Sequence, residues 1–264
     1  MAAPLNVDGG ERACRDICPP QREASRLVDC TEVASDGGVQ RVSCTFQGMC
    51  GRRPDGLEAV VDTPGPSVLG EHFAMVAHLE AASIEAFMRL AEELNAHGAP
   101  TPLIRAATRA ARDEARHARL TARQAARFGA SVPTVRIAPS LVRSLEALAI
   151  ENTVEGCVGE TFGALVAGWQ AQSATDPEIS TAMKSIADDE TGHAELAWRV
   201  ATWIDSKLSN DARLRVVAER RRAVAALVGR FAEETPSVLV DLAGLPTVAQ
   251  SLGLLRQLDE RLWS

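Results

Sequence analysis

Residues 112–120 read RDEARHARL and residues 188–196 read DDETGHAEL, so Asp, Glu, His, Ala and Leu recur at the same offsets 76 residues apart. On a helix, residues three apart share a face, so Glu114 with His117, and Glu190 with His193, each present one oxygen and one nitrogen ligand. A charged glutamate on an otherwise apolar face costs several kcal/mol unless it is compensated, and a divalent or trivalent cation compensates it best. The repeated pattern points to a binuclear metal centre. Asp113 and Asp189, each preceding a ligand glutamate, are placed to accept the free ring N–H of a metal-bound histidine, including the one on the other half.

A di-iron carboxylate site also needs one glutamate from each of two further helices. In the stretch before Gly98, Glu80 shares a face with Phe73, Val76, Ala77, Ser83, Ile84 and Phe87, whereas Glu85 shares one with His78, Arg89 and Glu92. Glu80 is the expected ligand. In the stretch after Ser140, Glu155 shares a stripe with Leu148, Val158 and Phe162, while Glu160 lies among Thr153, Gly156, Cys157, Gly163 and Ala164. Glu155 is the choice, with Glu151 and Glu160 as substitutes and Glu151 as a conceivable seventh ligand. Glu80 precedes Glu114 by 34 residues and Glu155 precedes Glu190 by 35, so the half-sites match in length. The expected catalytic and metal-ligating set is thus Glu80, Glu114, His117, Glu155, Glu190 and His193.

Four long helices must position these groups. The spacing predicts one from about Ser67 to Gly98, a second from a Thr101 cap and Pro102 to Phe128, a third from about Ser140 to Ser173, and a fourth from Asp176 and Pro177 to about Leu208. "GASVPTVRIAPS" interrupts the pattern as a long crossover between the second and third. A fifth amphipathic helix over 210–234 and shorter helical pieces follow. Three segments result: an irregular, Cys-rich arm over 1–66, a four-helix unit over 67–208, and a helical extension over 209–264 that packs on it.

With 264 residues, 46% hydrophobic and only 4% aromatic, the chain can bury a core built through small side chains, and the fold class is all-α. A formal charge of -7 gives no general reason to bind nucleic acid. No apolar run is long enough to span a membrane, and the N-terminus lacks the basic and apolar regions of a signal peptide. A cytoplasmic location is expected, although Cys14, Cys18, Cys30, Cys44 and Cys50 in the arm leave an exported, disulfide-bonded form open. Their gaps do not make a standard Cys-x-x-Cys metal pattern, so disulfides, a metal knuckle and free thiols all stay open. Cys157 reads as a buried core residue, and His72, His78 and His97 lack partners at ligand spacing.

Over roughly residues 70–208 the sequence resembles the ferritin-like superfamily of di-iron carboxylate proteins, through Glu80, Glu114-x-x-His117, Glu155 and Glu190-x-x-His193. The resemblance implies an up-down four-helix bundle with a long crossover and a pair of iron ions, which manganese or a mixed pair could replace. It also implies reaction with dioxygen or peroxide. The absence of tyrosine excludes a tyrosyl-radical role, and no rubredoxin-type cysteine pairs are present. The flanking segments could wall a pocket, which favours oxidation or oxygenation of a small organic substrate. The alternative is iron handling, as ferroxidase or peroxidase, without an organic substrate. A homodimer is compatible with either.

Overall fold

The computed structural model describes residues 27–33, 41–46, 51–58, 60, 66–231 and 234–263. The chain divides into two units, residues 1–48 and 49–264. In the first, strands β1 (Leu27–Val33) and β2 (Arg41–Phe46) pair antiparallel, with Cys30 opposite Cys44 in the register. This hairpin is more regular than the irregular arm expected from the Gly- and Pro-rich sequence. The expectation about bonding of Cys14, Cys18, Cys30, Cys44 and Cys50 concerns side chains outside the described residues.

The second unit is helical. Helix α1 (Val68–Ala96) starts where the Ser67 hydroxyl accepts from the Gly70 N–H at 3.1 Å, and it ends just before Gly98, whose φ of 71° only glycine adopts without strain. Helix α2 (Thr101–Arg127) begins one residue earlier than the expected Thr101 cap. Pro100 occupies the cap and makes no side-chain cap bond, because Pro102 already fits the first turn and leaves no N–H there to satisfy. The third rod begins at Leu145, not near Ser140, with the Ser144 hydroxyl accepting from the Ala147 N–H. It runs as α3 (Leu145–Glu151), a π-helical segment (Asn152–Glu160) and α4 (Thr161–Ser173). Helix α5 (Pro177–Asp205) is capped by Asp176, whose carboxylate accepts from the Glu178 and Ile179 N–H groups at 3.0 and 3.1 Å. Helices α6 (Asn210–Gly229), α7 (Ser237–Asp241) and α8 (Val248–Leu258) follow, and a last π turn spans Asp259–Trp263.

Helix α1 lies along α2, and α4 with the π segment lies along α5, while α2 meets α5. Two apolar clusters hold these contacts. One gathers Phe73, Phe162, Ile179 and Ile186 with Leu239, Leu255 and Trp263, so the C-terminal pieces share a core with the long helices. The other gathers Phe87, Leu94, Leu103, Leu148, Val200 and Ile204. Along α1, Glu80 falls midway between Phe73 of the first cluster and Phe87 of the second; along α5, Glu190 and His193 fall between Ile186 and Leu196 in the same way. The two cores therefore bracket a polar layer.

Residues 51–58, read in the sequence as part of the arm, belong to the second unit. The Glu58 N–H donates to Arg136 O and the Ala138 N–H to Gly56 O, both at 2.9 Å, making a short bridge to the crossover between α2 and α3. Arg89 ties the two together by donating to Asp55 O and Ala138 O, each at 2.8 Å.

Candidate metal centre

The polar layer is built from both copies of the repeated motif. Glu80 from α1, Glu114 and His117 from α2, and Glu190 from α5 bring one ligand atom each within 4.8 Å of one another, and Glu114, Glu160, Glu190 and His193 do the same. Glu114 and Glu190 belong to both groups, so two cation sites would lie side by side beneath two shared carboxylates. All six residues are buried. His117 Nδ1 stands 3.2 Å from Glu190 Oε1 and 3.6 Å from Glu80 Oε2, while His193 Nδ1 stands 3.1 Å from Glu114 Oε1 and 3.9 Å from Glu160 Oε2. The two imidazoles lie 5.8 Å apart.

Both oxygens of Glu80, Glu114 and Glu160, one of Glu190, and Nδ1 of both histidines lack a well-formed hydrogen bond. Buried polar atoms without partners are rare because each forfeits its hydration, and nine converging on one spot are groups that could hold a metal ion. The electrostatics agree. Burial, then the Glu80 and Glu190 carboxylates, push Glu114 far above the usual range, and burial with Glu190 does the same to Glu160. Burial disfavours charge on the His117 ring, yet Glu190 and Glu80 raise its pKa to about 10. Burial also opposes ionisation of Glu190, but His117 and His193 win and hold it below the ordinary carboxylate value. Protons thus share a charge balance that two multivalent cations would complete.

One expected ligand lies apart from the cluster. Glu155 joins neither group; its Oε2 accepts from the Arg53 N–H at 3.1 Å, and Glu160 holds the place assigned to it. The stripe of Leu148, Val158 and Phe162 faces apolar core, whereas the small residues beside Glu160 face α5. A Cβ on Gly156 would stand 2.6 Å from the Ala197 Cβ. Close helix approach, marked by Thr153, Gly156, Cys157 and Gly163, locates the ligand face better than bulk hydrophobicity does. The wider turns of the π segment also break the count of 3.6 residues per turn carried through it. The matched spacing of 34 and 35 misleads because each interval includes helix ends and a link beyond the site.

Glu151, the conceivable seventh ligand, is also outside both groups. Arg52 grips it in a fork, Nε to Oε1 at 2.8 Å and Nη2 to Oε2 at 2.6 Å. Arg52 is 1% exposed and lies over the Phe87 ring, which in turn packs against His193 with centroids 4.9 Å apart. Sequence reasoning missed Arg52; its only signal is an Arg-Arg pair at the end of a Cys-rich stretch. Glu85 pairs with Arg89 at the surface, as its polar neighbours predict.

The aspartates sit where the motif predicts. Asp189 Oδ2 is 3.0 Å from His117 Nε2, a hydrogen bond across the two copies, whereas Asp113 Oδ2 stands 3.7 Å from His193 Nε2, which has no hydrogen-bond partner. Arg116 donates to both Asp113 and Asp189 and joins the two pairs. Burial would raise the Asp189 carboxyl, but His117 and Arg116 hold it below its usual value.

Comparison of the chain with protein-family models, with characterised proteins and with solved structures finds no match. The site is therefore read from its own chemistry. His78 and His97 contact the carbonyls of Pro133 and Arg143, and neither of them nor His72 belongs to either ligand group. Burial pushes the Cys157 thiol up to about 12, which leaves it an unreactive core group.

Among the described residues no helix is long and apolar enough to cross a membrane.

Proposed function

We propose that Glu80, Glu114, His117, Glu160, Glu190 and His193 hold two iron ions within a ferritin-like four-helix bundle, and that the protein is a dioxygen-activating oxidase or oxygenase of a small organic molecule. The observation that carries this reading is the convergence of buried, unpartnered carboxylate oxygens and imidazole nitrogens on two adjacent positions with two shared glutamates. Four glutamates and two histidines match the donor set of the carboxylate-bridged metal pairs that helical bundles support, and manganese suits the same donors. A ferrous pair supplies two electrons to dioxygen together.

The protein's residues prepare that chemistry. Asp189 accepts the Nε2–H of His117, which would fix the tautomer in which Nδ1, once it gives up its proton, offers a lone pair to a bound cation. Arg116 keeps the aspartate ionised. The apolar cores on both sides exclude bulk water, and the 51–58 segment closes the flank through Arg52 and Phe87.

A second reading is iron handling without an organic substrate. Two surface hollows, one of about 330 Å³ lined by Thr101, Pro102, Arg105, Arg109 and Arg199 and one of about 520 Å³ lined by residues of α6, α8 and the last π turn, include no ligand residue, so neither is a substrate pocket at the centre. Anaerobic ferrous loading followed by air, with oxygen uptake recorded, tests both. Oxidation that stops at two irons per chain supports the enzyme. Continued oxidation of excess ferrous iron supports iron handling, and failure to take up any transition metal sinks both.

A further inference from the structure

The hollow of about 330 Å³ at the start of α2 is lined by Thr101, Pro102, Arg105, Arg109 and, across from them, Arg199 of α5. All three arginines are exposed, and among the described residues none has an ion pair or hydrogen bond. On the same helix Arg116 is bound to Asp113 and Asp189, and Arg127 to Asp176, whereas Arg112, Arg119 and Arg123 stand outside the hollow. Arg105 and Arg109, one turn apart, repel each other, and Arg199 adds a third like charge from another helix.

We infer that this hollow is a binding site for a phosphate group. Three guanidiniums from two rigid helices offer planar donor forks that match phosphate oxygens, and together they suit a dianion better than a single carboxylate. The Thr101 hydroxyl can add a donor. The volume lies at the lower end of small-molecule sites, roughly 300–1,000 Å³, and leaves room for a short organic group beside the phosphate. Arg109 precedes His117 by eight residues and Arg199 follows His193 by six, so the hollow lies about 9–12 Å along the helix axes from the metal centre. The inference does not depend on metal binding.

Calorimetric titration of the full chain, stripped of metal and then metal-loaded, with inorganic phosphate and separately with glycerol 3-phosphate tests it. One site per chain is expected in both states. Arg109→Gln with Arg199→Gln should weaken it by about tenfold or more, while Arg123→Gln, an exposed arginine of the same helix outside the hollow, should leave it unchanged. Tighter binding of the ester assigns the site to a phosphorylated metabolite, and equal binding assigns it to free phosphate. Absence of binding, or binding indifferent to the double substitution in a folded protein, overturns the inference.

Discussion

Arg52 and Glu151 form a two-pronged ion pair at 2.8 and 2.6 Å, with the guanidinium almost wholly removed from solvent. The contact fastens a segment nearly a hundred residues away in sequence onto the helix that carries Glu160. Glu151 also lies 3.5 Å from Arg143, which itself holds Glu93 in a fork at 2.7 Å.

Arg52→Ala should cost about 3–5 kcal/mol, since it strands Glu151 in the interior with one partner gone. Arg52→Met with Glu151→Leu should recover much of that loss. Denaturant unfolding checks both, and a single-mutant cost below about 1 kcal/mol would show that residues 51–58 do not anchor the unit.

Glu160→Ala should abolish binding of at least one metal ion, whereas Glu155→Ala should keep the full complement. Metal analysis of the two purified variants decides between them. Full retention in the Glu160 variant would return the assignment to another glutamate.

Arg116→Ala removes the guanidinium that touches both Asp113 and Asp189. Metal affinity should fall about 10–100-fold at sites that Arg116 never touches. Competition with a chelator measures the change, and unchanged affinity would mean that the two aspartates hold the histidines unaided.

Gly156→Ala places a methyl group against Ala197 where 2.6 Å is available. It should destabilise the fold by about 1–3 kcal/mol, and Ala197→Gly should relieve it. Thermal unfolding of the single and double variants tests the pair; additive losses would argue that the helices do not meet there.

Most of the centre was legible in the sequence because Glu114, His117, Glu190 and His193 lie on unbroken α-helix, where a spacing of three translates directly into a shared face. Glu80 yielded to the same reasoning on α1. The starts of α1 and α5 were legible from Ser67 and Asp176, whose side chains cap as their types suggest. Glu160 was not, because the residues around it depart from α geometry and because the face turned to the site is marked by small side chains. Arg52 was hidden for another reason: burial of an arginine by a distant glutamate leaves no periodic trace. The hairpin formed by β1 and β2 escaped because a Gly- and Cys-rich composition reads as loop.

The crossed pairing of His117 with Asp189, and of the Asp113 side with His193, has a consequence for the engineering of the chain. The first repeat is not a self-sufficient module, since its imidazole is oriented by an acid borrowed from the second, while Asp113 faces His193 across 3.7 Å. Damage to the second copy of the motif therefore reaches the imidazole of the first, and the two copies cannot be engineered independently.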